Sequence, residues 1–182
     1  MYVFFDIIFV KGGEHMQFNK GDTAVYGIYG ICRIKDVGFM SFSGDRPKEK
    51  YYILSPVDNR TSTYYVPFSS ADNSIRLPMT KKDIDALIES AKKRNIDWPE
   101  NRQQRSDLFR RIIAGGISED LVLLLGCLYS KQLDLSAHNK TLSSTDENFF
   151  IQAERLLHNE FAYSLGLSKE EVINYICELY NR

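Results

Sequence analysis

Between residues 17 and 78 the apolar positions come in short runs broken by glycine and polar turns, and from residue 80 they recur every three or four positions. The first pattern predicts strands and the second helices, because side chains alternate across a strand but return to one face of a helix after three or four residues. Strands are predicted at residues 22–26, 31–37, 50–54 and 63–67. Gly27-Ile28-Tyr29-Gly30 joins the first two through a tight turn or bulge, residues 43–47 form a loop, and residues 58–60 form a turn. In the second strand Ile31, Arg33 and Lys35 alternate with Cys32, Ile34 and Asp36, a strand-like but irregular pattern. Four or five short strands in so little chain fit a small, strongly bent sheet or SH3/Tudor-like β-barrel. Its interior is too small for a substrate, so it is expected to bind through an edge or loop.

The helical half opens at Thr80, which with Asp83 forms a capping-box pattern ahead of Ile84, Leu87, Ile88 and Ala91. Pro99 suits the first turn of a second helix, with Leu108, Phe109, Ile112 and Ile113 facing inward and Gly115-Gly116 ending it. Ser118 is placed to cap a third helix carrying Leu121, Val122, Leu125 and Leu128. Ser144 and Glu147 open a fourth, with Phe149, Phe150, Ala153, Leu156, Leu157 and Phe161, and Ser168 and Glu171 a fifth, with Val172, Ile173, Ile176 and Leu179. These stripes read as core positions and not as a cofactor site. The fold class expected is α+β, a barrel at residues 16–78 followed by an all-helical domain of about five helices at residues 79–182.

Charge changes the picture locally. The 182 residues carry a net charge of −1, yet residues 80–111 hold nine Lys/Arg against six Asp/Glu while residues 112–182 hold five against ten. Nonspecific coating of a polyanion is disfavoured, but one basic face is not. Trp98, the single tryptophan, sits before a proline inside the most basic stretch, among Lys92, Lys93, Arg94, Arg102, Arg105, Arg110 and Arg111. A flat apolar ring flanked by cations suits a side chain that presses between base steps of a duplex. A helix-packing tryptophan beneath a solvated charged face is the other reading, and this segment alone leaves both open.

Cys32, Cys127 and Cys177 are far apart and set among apolar neighbours, and His15, His138 and His158 form no pair at metal-ligand spacing. Free thiols in a reducing cytoplasm, no metal and no cofactor are expected. Residues 1–15 begin with an apolar run too short to span a bilayer and without the flanks of a secretory signal. Lys11-Gly12-Gly13-Glu14 can be encoded by a purine-rich ribosome-binding sequence at a suitable distance before Met16. Translation is therefore expected to start at Met16, with an added β-strand as the alternative; the gene's nucleotides decide.

The segments Phe18-Asn19-Lys20-Gly21-Asp22-Thr23-Ala24-Val25-Tyr26, Gly30, Lys48-Glu49-Lys50-Tyr51-Tyr52-Ile53-Leu54 and Val66-Pro67, then Trp98 with its basic residues, Ala114-Gly115-Gly116, and Leu142-Ser143 before a helix ending in Gly166-Leu167-Ser168, resemble the CarD family of bacterial transcription regulators. The likeness extends from Met16 onward. The barrel module is shared with transcription-repair coupling factors, so the barrel with a five-helix domain is the more specific feature. The resemblance implies a cytoplasmic, nonenzymatic regulator whose barrel adds a strand to the RNA polymerase β subunit and whose helical domain touches promoter DNA at the upstream edge of the open bubble. No membrane and no small-molecule substrate enter.

Carried over by residue, Trp98 takes the place of a wedge lodged in the minor groove. Arg102 and Arg105 stand near the family's basic residues after it, three apart on one face and suited to adjacent phosphates. Lys92, Lys93 and Arg94 close the preceding helix and are candidate backbone contacts, although cations there also suit the helix dipole. For the polymerase the candidates are Met40, Arg46, Lys48, Tyr64 and Tyr65. Tyr65 and Met40 stand at or near places where actinobacterial relatives carry contacting arginines, so an apolar or aromatic contact with charge from Arg46 or Lys48 is expected instead. Tyr51, Tyr52, Tyr64 and Tyr65 also read as ordinary alternating residues. Relatives are basic in the fourth helix where this chain has Asp146, Glu147 and Glu154, which confines the expected DNA footprint to the second helix and its approach. A module acting through the barrel alone, without inserting into DNA, is the second reading. An enzyme is disfavoured because no GxSxG, HExxH, Walker or GxGxxG pattern occurs.

Overall fold

The computed structural model describes residues 17–42, 47–59 and 61–180. Residues 1–15 and Met16, residues 43–46 of the predicted loop with the candidate Arg46, and Arg60 of the predicted turn lie outside them. The four predicted strands are present as β1 (Thr23–Tyr26), β2 (Ile31–Met40), β3 (Glu49–Pro56) and β4 (Tyr64–Pro67), joined by a two-residue β5 (Ile75–Arg76). All pair antiparallel in the order β4-β3-β2-β1-β5. The register of β2 on β3 slips between Ile34 and Asp36, a bulge that accounts for the irregular alternation around Lys35.

The expected barrel is corrected to an open sheet, because β4 and β5 stand at opposite ends of it. The chain between them forms a 3-10 turn (Phe68–Ser70) and the short helix α1 (Ala71–Ser74) instead of a strand that could close the ring. Phe68 stacks on Tyr52 at 4.1 Å and Ala71 is buried, so this connection covers the core that closure would otherwise seal. Beneath the sheet lie Phe18, Ala24, Cys32, Ile34, Leu54, Val66 and Ile75. Tyr52 joins them, its hydroxyl accepting a hydrogen bond from the Phe18 N–H at 3.2 Å.

The helical half contains α2 (Lys81–Ala91), α3 (Arg102–Gly115), α4 (Ser118–Ala137), α5 (Ser144–Leu165) and α6 (Lys169–Tyr180). Thr80 and Asp83 form the reciprocal box expected at α2, and Ser168 and Glu171 exchange bonds at α6. At α5 the cap is Ser143 with Asp146, one residue earlier than predicted. Two start sites differ more. Pro99 precedes α3 without entering it, since Asn101 caps the helix by accepting from the Gln103 and Gln104 N–H groups. At α4 Ile117 takes the cap position and the Ser118 hydroxyl turns away to Arg76 and Glu160.

Ile84 and Ile88, Phe109 and Ile113, Leu121, Leu124 and Leu128, a run of α5 side chains around Leu157 and Phe161, and Val172 form the second core. Ile173, expected inward, is exposed, and Val122 and Leu125 are only half-buried while Leu123 and Leu124 are buried. The run from Leu121 to Leu125 is apolar all round, so periodicity alone does not select its inward face.

Among the contacts that tie the halves together are an ion pair to a buried carboxylate and a close backbone approach. Arg76 of β5 forks onto the buried Glu160 of α5 at 2.5 and 2.8 Å and donates to Ser118 at 2.9 Å, and Glu160 also accepts the Met79 N–H at 3.1 Å. At the end of α3, Gly116 adopts φ +62 beside the backbone of Gly27, in the turn after β1. A Cβ at Gly116 would meet Gly27 backbone at 3.4 Å, an ordinary contact, so the cost of a side chain there is conformational. Gly116→Ala is accordingly expected to lower stability by about 1–2 kcal/mol, with Gly116→Asn losing less; urea denaturation of both variants measures this.

Candidate functional site

Trp98 lies in the connection between α2 and α3, half-buried against the helical core. Its ring meets Phe109 edge-on at 6.0 Å, and Phe109 meets Phe149 in the same way at 5.8 Å. The Arg105 guanidinium lies 4.5 Å from the indole centroid and the Lys131 ammonium 5.6 Å from it. The indole also lines a groove of about 600 Å³ between this connection and α4, walled by Arg94, Asp97, Cys127, Lys131 and Asp134. Trp98 is thus neither sealed in the bundle nor projecting free of it: part of the ring is packed and part borders the groove.

Arg105 departs from expectation. It is 8% exposed and makes a fork to Asp146, Nε to Oδ1 at 3.0 Å and Nη2 to Oδ2 at 3.1 Å. Its Nη1 donates to the carbonyls of Pro99 at 2.8 Å and Glu100 at 3.3 Å. The expected pairing of Arg102 and Arg105 on one phosphate-facing surface is corrected: Arg105 points inward, and Arg102 alone of the two is exposed, bonded to Thr145 at 3.3 Å. Asp146 is likewise not a surface charge repelling DNA but a buried counter-ion, 2% exposed. Burial raises its carboxyl pKa, but hydrogen bonds from Arg105 and Ser143 and the charges of Arg105 and Arg102 outweigh that and hold it below its ordinary value.

The remaining cations differ in setting. Lys92 is mostly covered and paired with Glu89 at 2.8 Å, Arg94 is paired with Glu119, and Arg110 with Asp107 at 2.9 Å. Lys93 is exposed at the end of α2. Exposed pairs of this kind contribute little and are readily exchanged for a phosphate.

Among the described residues β4 is an outer strand of the sheet, paired on one side only, with β3. Tyr65 projects from its outer face, 41% exposed, and packs edge-on with Phe42 at 5.1 Å; Phe42 also meets Tyr51 at 5.2 Å. Phe42 and Phe39 are 64% and 68% exposed. Tyr64 points the other way, with Tyr29 at 4.1 Å and Tyr26 at 5.8 Å, so its ring belongs to the opposite face from Tyr65. Met40 is half-buried at the end of β2 and Lys48 is exposed just before β3. Phe39 and Phe42 escape a reading of strand alternation because they lie where β2 runs past its predicted end into a loop.

Burial pushes the Cys32 thiol up to about 12, and burial with the Asp97 charge raises Cys127, so both stay protonated at neutral pH. Among the described residues no cluster of three His, Cys, Asp or Glu side chains is placed to hold a metal ion, and no helix is long and apolar enough to cross a membrane.

Residues 18–78 match the family model described as the CarD-like/TRCF RID domain. The match covers the sheet and α1 and stops before α2. No curated protein matches the chain significantly.

Proposed function

We propose, from the premise that this chain belongs to the CarD-like/TRCF RID family through residues 18–78, that it docks on RNA polymerase by its sheet and holds promoter DNA open with its helical half. The family's domain is a noncatalytic module that interacts with the polymerase β subunit, and the amino-terminal unit accordingly has a transcription-related, polymerase-interacting role. The finer assignment rests on one observation: β4, an outer strand of the sheet among the described residues, is flanked by an exposed aromatic cluster of Phe42 and Tyr65. An outer strand offers main-chain hydrogen bonds to a strand of the partner, and aromatic rings beside it supply the apolar contact that fixes register. Lys48, exposed just before β3, adds charge near it.

The DNA-facing part is the Trp98 connection with Arg102, Lys93 and, once their surface pairs exchange, Lys92 and Arg94. A duplex at the edge of a melted region is kinked and widened, so a ring lodged there stabilises the open state over the closed one. The helical half then acts only when the sheet has tethered it to the polymerase.

A specific observation favours a second reading, in which the sheet acts alone: most cations near Trp98 are paired within the chain. The docking assignment is tested by pull-down on the polymerase β subunit. The double variant Phe42→Ala/Tyr65→Ser is expected to lose binding by at least about tenfold, the effect of removing one or two aromatic anchors, while Tyr64→Ala should act mainly on stability. Undiminished binding by the double variant would place the docking surface elsewhere.

A further inference from the structure

We infer that Arg105 and Asp146 form the mount that holds the Trp98 indole in place, so that Arg105 is a positioning residue for the ring and not a contact to phosphate. One guanidinium does three things at once. It lies 4.5 Å from the indole centroid, it takes the carbonyls of Pro99 and Glu100, the two residues that follow Trp98, and it is locked by a fork onto Asp146. A guanidinium offers its N–H groups in a fixed plane, so fixing one edge on a carboxylate fixes where the other edge points. That other edge clasps the backbone leaving the tryptophan.

Asp146 is itself held. Its Oδ2 accepts from the Ser143 hydroxyl at 2.7 Å, and its N–H donates to Ser143 Oγ at 3.2 Å as part of the α5 cap. The position of the indole is therefore set from the first turn of α5, across the bundle, through one buried ion pair. With the ring packed edge-on to Phe109 as well, a connection that has no helical hydrogen bonds of its own still presents Trp98 in a defined pose. A pose fixed before DNA arrives removes an ordering cost from binding. A lysine at 105 keeps the charge but cannot span Asp146 and the two carbonyls together.

The functional half of this inference rests on the proposed wedge role; the mount itself does not. The single tryptophan of the chain makes it measurable in the free, full-length protein. Steady-state emission and acrylamide quenching of Trp98 are compared in the wild type, Asp146→Asn, the milder Arg105→Lys, and Arg76→Ala as a variant weakened elsewhere. Both mount variants are expected to emit at longer wavelength and to be quenched more strongly while far-UV circular dichroism is retained, and Arg76→Ala is expected to keep the wild-type signal. Unchanged emission and quenching in folded Arg105→Lys and Asp146→Asn would overturn the mount, as would an equal shift in Arg76→Ala. Open-complex lifetimes of the same variants separate the two claims. A lifetime falling toward that of Trp98→Ala supports both, and a shifted fluorescence with an unchanged lifetime sustains the mount while overturning the wedge.

Discussion

Asp146→Ala is expected to destabilise the protein by about 3–5 kcal/mol, the cost of stranding a buried charge without its partner. At this chain length that is a fall in Tm of about 6–20 °C, measurable by calorimetry. The size follows from the burial of both groups, with side chains 9% and 3% exposed, and from the absence of an easy route for Arg105 to water. Loss of the Ser143–Asp146 half of the α5 cap adds to it. The pH dependence has a definite sign. Because the Asp146 carboxyl lies below its ordinary value when folded, its stabilising contribution is complete above the unfolded value of about 3.9. It is lost as pH falls from there through the folded value. Asp146→Asn should therefore flatten the acid limb of the stability profile. A Tm within about 2 °C of wild type for the alanine variant would mean that Arg105 finds solvation the present geometry does not offer.

Arg76→Ala should cost about 2–4 kcal/mol, and its signature is different. Glu160 has a side chain 4% exposed and would keep the Met79 and Ser118 donors while losing the guanidinium that neutralises it. The Arg76 side chain is itself 37% exposed, so water reaches this site more easily than the Arg105–Asp146 pair, hence the lower range. Arg76 belongs to β5 and Glu160 to α5, so the bond joins sheet to helices. The expected result is a thermal transition that broadens or splits as the two cores unfold less cooperatively, with amide exchange rising in β5 and the first turn of α4. A shift of the whole transition without broadening would show that the Gly116–Gly27 approach and the other contacts already couple the halves fully.

The strands were legible because glycine turns and short apolar runs mark them, and the starts of α2 and α6 because a hydroxyl and a carboxyl three residues apart satisfy the first N–H groups; at α5 two such pairs overlap, and the cap is Ser143 with Asp146 instead of Ser144 with Glu147. Closure of the sheet was not legible: whether residues 68–74 form a strand or a helix depends on how Phe68 packs over Tyr52, a contact that no local pattern encodes. The inward face of α4 was obscured by an unbroken apolar run. Arg105 and Glu160 are more instructive. Arg105 precedes Phe109 by four positions and Glu160 follows Leu156 by four, so the helical repeat itself places both on the inward stripes. Reading charge as exposure hid them. Their partners, Asp146 and Arg76, are 41 and 84 residues away, beyond any pattern of spacing. For the same reason a basic stretch of sequence proved to be a mixture of buried, paired and exposed cations.

The central claim is that Trp98, presented by the helical half of a polymerase-docked regulator, stabilises melted promoter DNA. Its most direct test is the lifetime of the open complex on a promoter whose open state is short-lived, measured with wild-type protein and Trp98→Ala at equal occupancy of the polymerase. The account predicts that Trp98→Ala binds the β subunit as the wild type does but shortens the lifetime by about five- to thirtyfold, the equivalent of 1–2 kcal/mol. A lifetime indistinguishable from wild type would contradict it.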